Sequence, residues 1–366
     1  MTNRLNQSPL HSRHEALGAR FAEFGGWSMP LQYSGVLAEH HAVRNGVGIF
    51  DVSHLGKARV TGTGAAGFLN RVLTNDLDRI GAGQAQYTLL CDDDGGVVDD
   101  LIAYRLSDEE LLLIPNAANN ATVVDVLRAA APTGMAVTNE HADWAILAVQ
   151  GTKSDETLTT IGIPVGHDYM KFVPTIWHGI SLTVCRTGYT GERGYELVVP
   201  AEQSGQVWDA VLAAGAAHGI VPAGLGARDT LRTEMGYPLH GQDISREITP
   251  VQAGLGWAVG WSKTSFHGVD ALRAERAAGP RRRLRGLVST GRGIPRPGMD
   301  VVDTSGVRLG SITSGTFSPT LGKGIALALV AASVEIGDRV GVSVRARVEE
   351  FDVVKPPFVT TGVRAT

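Results

Sequence analysis

Two aspartates stand side by side in an otherwise apolar stretch, Gly95-Gly-Val-Val-Asp-Asp-Leu-Ile102. Carboxylates are rarely buried without a partner or a task. A carboxyl group in apolar surroundings is also a standard way to tune an acid or a base. In a strand successive side chains alternate, so Asp99 and Asp100 are expected to face opposite ways, with only one of them facing any given pocket.

A second segment, Arg186-Thr-Gly-Tyr-Thr-Gly-Glu-Arg-Gly-Tyr-Glu-Leu197, carries three glycines that permit a tight backbone path. That path is expected to turn Tyr189 and Glu196 toward a common space. A carboxylate can accept two N–H bonds from an aminopyrimidine ring, and a tyrosine can stack on it. The third segment is Gly224-Leu-Gly-Ala-Arg-Asp-Thr-Leu-Arg232. Arg228 falls in the first turn of a helix, where the macrodipole disfavours a cation. A bound anion or a nearby carboxylate would account for it.

Other patterns suggest chemistry that their context does not support. Gly62-Thr-Gly-Ala-Ala-Gly67 fits a dinucleotide fingerprint, which requires a βαβ unit. Here the following helix leads into a β-meander, and Asp76 and Asp78 precede any second strand. Glu39, His40, His41 and His54 lack metal-site spacing, and adjacent histidines on a helix diverge by about 100°. Asp51, Ser53 and His54 are close in sequence, but triads are recognised by geometry. The run Arg281-Arg-Arg283 with Arg285 reads as a solvated strand edge or as a steering patch for an acidic partner.

These residues need elements to hold them. Residues 35–45 read as a helix, followed by the strand-like GVGIFDVS and then the helix AAGFLNRVL. Gln86–Cys91, Val97–Arg105 and Leu111–Pro115 read as a meander, with an Asp-Gly turn at Asp92–Gly96. Asn119 or Asn120 is expected to cap a helix through Val123, Val124, Val126 and Leu127. Strands follow at Trp144–Gln150, Ser181–Arg186 and Tyr195–Val199, and helices at Gln203–Ala217 and Gly226–Met235. Beyond a linker at Ala277-Ala-Gly-Pro280, the chain from Arg283 has an all-β pattern.

At 366 residues the chain has room for two or three domains. A net charge of -4 argues against a nucleic-acid binder, which needs a strongly basic face. Two cysteines in unrelated contexts suit a reducing compartment. No apolar run reaches the roughly 20 residues that span a bilayer, so no membrane partner is expected.

Taken together, the segments resemble the glycine cleavage system T-protein family. The resemblance includes Phe24-Gly-Gly-Trp-Ser-Met-Pro30 with Tyr33, Glu39-His-His-Ala-Val-Arg44, Phe50-Asp-Val-Ser-His54, Ala148-Val-Gln-Gly151, Gly241-Gln-Asp243 and Ile312-Thr-Ser-Gly-Thr-Phe-Ser-Pro-Thr-Leu-Gly322. It runs from about Leu10 to about Val359. Leu55 is a departure, since the family usually has methionine after Ser-His; the swap is mild. The pattern begins by residue 10, which leaves a transit peptide no room and makes a cytoplasmic location the expectation.

The resemblance implies an α+β fold of three domains in a cloverleaf around a central folate cavity. Residues 1–54 plus 143–245 would form a discontinuous first domain, 55–142 the second, and 246–366 a C-terminal β-barrel. It implies transfer of an aminomethyl carbon from the lipoyl arm of H-protein to tetrahydrofolate, with release of ammonia and no metal. Matched by motif, Asp99 would be catalytic and Asp100 would face away. Glu196 would hold the pterin, Tyr189 would line its site, and Arg228 would meet the p-aminobenzoyl-glutamate side. Tyr87, Asn116 and Leu55 are further expected pocket residues. Two rivals are a folate-binding relative without catalysis and a dinucleotide oxidoreductase built on Gly62–Gly67.

Overall fold

The computed structural model describes residues 5–344 and 347–363. Residues 1–4 and 364–366, at the outer ends of the expected domain boundaries, lie outside the described residues.

The strand Trp144–Gln150 is buried on both faces, so its sequence WAILAVQ is a continuous apolar run rather than an alternating one. It lies inside a six-stranded sheet ordered Phe172–Trp177, Ile180–Cys185, Gly194–Pro200, Trp144–Gln150, Gly48–Asp51 and Val221–Pro222. Leu147 and Val149 face a core shared with Trp208 and Val211. Ile146 and Ala148 face a second core that includes Ala227 and Leu231 of the helix Leu225–Met235.

The chain leaves this sheet after Asp51 and returns at Trp144, and the two strands pair antiparallel across that gap. In between it builds a five-stranded antiparallel sheet ordered Gln84–Cys91, Val97–Arg105, Glu110–Ile114, Ala58–Thr61 and Ala136–Asn139. The helices Ala65–Val72 and Asn120–Ala130 cover it through Phe68, Leu69, Val123, Val124 and Leu127. The expected elements of this region form. The Gly62–Gly67 turn does open the helix Ala65–Val72, but the preceding strand Ala58–Thr61 is flanked only by antiparallel strands. The βαβ unit that a dinucleotide site needs is absent from this sheet.

Arg282–Ser289, Lys323–Ala331, Arg308–Ser318, Asp300–Val302, Arg339–Val344 and Arg347–Val354 close into a barrel, as the all-β tail leads one to expect. The linker expected at Ala277–Pro280 needs correction. Ala277 and Ala278 end a helix, Val269–Ala278, which buries Leu272 alone. In the basic run, Arg281 and Arg282 are exposed, and two of its arginines have partners within the molecule. Arg282 donates to the Glu247 carbonyl and Gln252, while Arg285 bonds the Val334 carbonyl and pairs with Glu335 at 3.1 Å. Among the described residues, no helix is long and apolar enough to cross a membrane.

The barrel is fixed to the six-stranded sheet by buried charge on the helix Leu225–Met235. Glu234 accepts from Arg44 at 2.8 and 3.1 Å, from Ser318 Oγ at 2.5 Å and from Thr320 Oγ1 at 2.9 Å. Two residues earlier on the same helix, Arg232 donates to Asp243 at 2.9 Å and to Ser314 at 2.8 Å. His40 is part of this network, bonded to Thr230 and 3.4 Å from Glu234. It does not belong with His41 or His54 in a metal set. The helix ends at Gly236, whose φ of +68° is the left-handed stop that glycine accepts without strain.

Burial would raise the Glu234 pKa, but hydrogen bonds from His40 and Ser318 and the Arg44 charge hold it down at about 2. Its stabilising effect is therefore complete above the unfolded value near 4.3 and fades as pH falls toward 2. Glu234→Gln is expected to cost about 3–5 kcal/mol in denaturant unfolding at pH 7, with a deficit that shrinks below pH 4. A deficit that stayed constant down to pH 2 would contradict this account.

Candidate active site

The Asp99–Asp100 pair lies on Val97–Arg105, between Gln84–Cys91, which carries Tyr87, and Glu110–Ile114, with Asn116 two residues beyond that strand's end. The register with Gln84–Cys91 slips between Leu90 and Cys91, which leaves Val98 as an extra residue. A bulge of this kind bends the strand and re-aims adjacent side chains. From Asp99 to Arg105 the pairing is regular, so Asp99 and Asp100 alternate as expected, but Asp100 does not face away from the expected pocket residues. The Asn116 amide nitrogen lies 2.9 Å from Asp99 Oδ1, 2.8 Å from Asp100 Oδ1 and 3.0 Å from the Asp100 carbonyl. Two N–H bonds thus serve three oxygens. Asp100 Oδ2 also accepts from the Tyr87 hydroxyl at 3.0 Å.

Asp99 accepts two more bonds, from the Asn116 backbone N–H at 2.9 Å and the Asn119 amide at 2.7 Å. It is wholly buried, whereas Asp100 keeps partial exposure. Burial, and then the neighbouring Asp100 charge, push the Asp99 carboxyl up to about 8. Burial likewise raises Asp100. Two carboxyls on one amide in apolar surroundings cannot both ionise cheaply, so the pair favours holding a proton between them.

Glu196 and Arg228 meet on the other side. Glu196 sits on Gly194–Pro200, inside the six-stranded sheet, and points to the face covered by the helix Leu225–Met235. Its Oε2 accepts from Thr187 Oγ1 at 2.5 Å. Since Thr187 has one hydroxyl proton, the 3.0 Å contact with Tyr104 must have the tyrosine as donor. Arg228 lies 4.7 Å over the Tyr189 ring, within cation–π range. Tyr189 also stacks on Tyr237 and donates to the Pro238 carbonyl.

Among the described residues Arg228 makes no salt bridge, and its Nη1 is buried without a hydrogen-bond partner. Burial lowers its pKa, opposed by the Glu196 charge. A guanidinium still remains protonated. Its orphaned N–H therefore points to an external acceptor.

Tyr189 connects the two halves, since both the Asp100 and the Arg228 charges act on it. Of the seven expected residues, Glu196, Tyr189, Arg228, Tyr87, Asn116 and Leu55 are half-buried, as residues lining a cavity would be. Asp99 alone is closed off. Leu55 packs beside Phe50 and Val52, and its neighbour His54 is held neutral, with a pKa down to about 3 through burial and the Arg228 charge. Asp51, Ser53 and His54 do not assemble as a triad. Asp51 bonds His14 at 2.8 Å and Ser8, and Ser53 Oγ accepts from the Ile146 N–H.

Sequence reasoning missed Asn119 and His240, whose side chains meet beside Asp99, and Thr187 and Tyr104 behind Glu196. It also missed Trp257, which stacks on Tyr87 at 5.3 Å and is 62% exposed. Thr187 lay within the singled-out glycine-rich segment. An asparagine before a helix signals a cap, and nothing local marks it as a partner of Asp99.

Residues 10–263 match the family model of the GCVT N-terminal domain, and residues 282–360 that of the glycine cleavage T-protein C-terminal barrel domain. A Frankia alni protein named aminomethyltransferase is 60% identical over 98% of this chain and 99% of its own length. Its Mycobacterium tuberculosis counterpart is 58% identical over 98% of each chain. The crystal structure of glycine cleavage system aminomethyltransferase T from Bartonella henselae aligns with a TM-score of 0.91 and 34% identity. That alignment covers 97% of this chain and 98% of the other.

Because the Asp99 pKa is raised in the folded state, the fold binds a proton that the unfolded chain, titrating near 3.9, has lost. Stability linked to this group is thus present at low pH and falls as pH rises toward 8. Asp99→Asn should gain stability relative to the parent between pH 5 and 8, on the order of 1 kcal/mol or more in urea unfolding. An unchanged or widening loss over that range would show that Asp99 is ionised throughout.

Proposed function

From the premise that the chain belongs to the glycine cleavage T-protein family and carries its aminomethyltransferase activity, we propose how its residues serve the reaction. The family implies tetrahydrofolate as co-substrate. We propose that the aminomethyl group arrives on the dihydrolipoyl arm of H-protein. The carbon–sulfur and carbon–nitrogen bonds of the S–CH2–NH2 unit break. The carbon ends between the two folate amine nitrogens as 5,10-methylenetetrahydrofolate, and their two protons leave with ammonia and the thiol. The proposed setting is the cytoplasm.

The observation that carries the assignment is the orphaned Arg228 N–H facing the same space as Glu196 and Tyr189. An aminopterin with an acidic tail fits that set. Glu196, fixed by Thr187, would accept the N–H groups of the pterin, and Tyr189 would line it. Arg228 would take the p-aminobenzoyl-glutamate side, with Tyr87, Asn116 and Leu55 closing the pocket. Holding both reactants in a site shielded from water would lower the entropic cost of their meeting.

Asp99 is the proposed catalytic carboxylate. Three of its roughly four lone-pair directions are already used by N–H donors, which leaves one for a folate amine. As an anion it would orient the amine and stabilise the positive charge that develops as ammonia leaves. A second reading has a specific observation behind it. Asp100 is the member of the pair with exposed surface and bonds Tyr87, so Asp100 would touch the substrate and Asp99 would share its proton. We also propose the domain division 1–54 plus 143–245, 55–142 and 246–366. The pairing of Gly48–Asp51 with Trp144–Gln150 across the inserted sheet supports it.

Kinetics of the two asparagine variants decide between the carboxylates. Asp99→Asn is expected to lower kcat at least a hundredfold with folate affinity within about threefold, and Asp100→Asn to lower kcat far less. The reverse ranking would make Asp100 the catalytic group. Glu196→Ala should instead lose folate affinity by tenfold or more, since it removes a charged acceptor; unchanged affinity would remove Glu196 from the pterin site.

A further inference from the structure

Asn119 occupies the position before the helix Asn120–Ala130 but makes no side-chain cap bond. Both amide protons are directed elsewhere, one to Asp99 Oδ1 at 2.7 Å and one to His240 Nδ1 at 3.0 Å. An amide nitrogen only donates, so His240 Nδ1 must accept. The ring proton then sits on Nε2, which donates to the Val97 carbonyl at 3.1 Å. Val97 adjoins the bulged Val98, and its own N–H is held by the Ser245 carbonyl at 2.9 Å. The loop bearing His240 comes this close because residue 96 is glycine. A Cβ there would collide with the Arg246 carbonyl.

Loop, bulge and helix start therefore converge on one oxygen of Asp99. We propose that Asn119 and His240 are positioning residues for Asp99: His240, locked as the Nε2–H tautomer by Val97, holds the Asn119 amide so that its second N–H fixes one Asp99 oxygen. The inference rests on Asp99 as the catalytic carboxylate. Asp100, Tyr87 and His240 are the titratable side chains set beside Asp99 in this cluster, and Asn116 and Asn119 supply its donors. Removing the Asn119 donor destabilises the Asp99 anion without touching the Glu196 and Arg228 side.

The test compares steady-state kinetics, from pH 6 to 9, of the full-length parent, Asp99→Asn, Asn119→Ala, His240→Ala, His240→Gln and the double variant N119A/H240A. Asn119→Ala is expected to lower kcat about tenfold, leave the folate KM within about twofold, and move the acidic limb of kcat to higher pH. His240→Ala should move both in the same direction by less. His240→Gln, whose carbonyl still accepts from Asn119, should recover most of that loss. The double variant should be no worse than Asn119→Ala, since both act through one bond. If Asn119→Ala fails to fold, Asn119→Ser takes its place with the same expected limb shift. Asp99→Asn should abolish the limb. If it does not, Asp99 is not the titrating group and the proposal falls with that assignment. If Asp99→Asn abolishes the limb while Asn119→Ala leaves it in place, the positioning role alone is overturned. Additive losses in the double variant overturn it as well.

Discussion

The Glu234 carboxylate joins three parts of the chain that would otherwise have little reason to stay together. It takes Arg44 from the helix Val36–Asn45, and Ser318 and Thr320 from the barrel side, while itself belonging to the helix Leu225–Met235. Breaking such a buried pair leaves an uncompensated charge, which is costlier than never having made it. Arg228 stands at the other end of the same helix, above the inner face of the six-stranded sheet. The clamp that holds the barrel thus also sets where the unpaired guanidinium points.

On the opposite wall the physical logic is reversed. Asp99 and Asp100 are placed where ionisation is penalised, and Asn116 draws both onto one amide. A purely structural strand would have apolar residues there. Keeping two carboxyls costs folding stability and yields an acid that titrates near neutral pH, the range in which proton transfer is efficient. The protein spends its well-paired charges on assembly, at Glu234 and Arg232, and leaves Arg228 without a salt bridge beside Tyr189.

Much of this was legible in the sequence. The strands, the principal helices and the all-β tail follow from periodicity and turn residues, and the odd placement of Arg228 in a first helical turn marked it in advance. The failures have local causes. Asp99 and Asp100 do alternate in a regular stretch of strand, yet both reach one amide because Asn116 lies just past the end of the neighbouring strand Glu110–Ile114, a placement no local pattern reveals. Asn119 satisfies the rule for a cap, yet tertiary contacts with Asp99 and His240 claim its amide. The partners of Arg282 and Arg285 come from the distant residues Glu247, Gln252 and Glu335, which no local pattern reveals. The split sheet is invisible to periodicity, because the pairing of Gly48–Asp51 with Trp144–Gln150 spans an entire inserted sheet.

The most direct test of the account is ammonia release from aminomethyl-loaded H-protein, measured with and without tetrahydrofolate. Strong folate dependence is the expected result, with one methylenetetrahydrofolate formed for each ammonia released. Tight folate binding without such release, or release at the same rate when folate is absent, would contradict it.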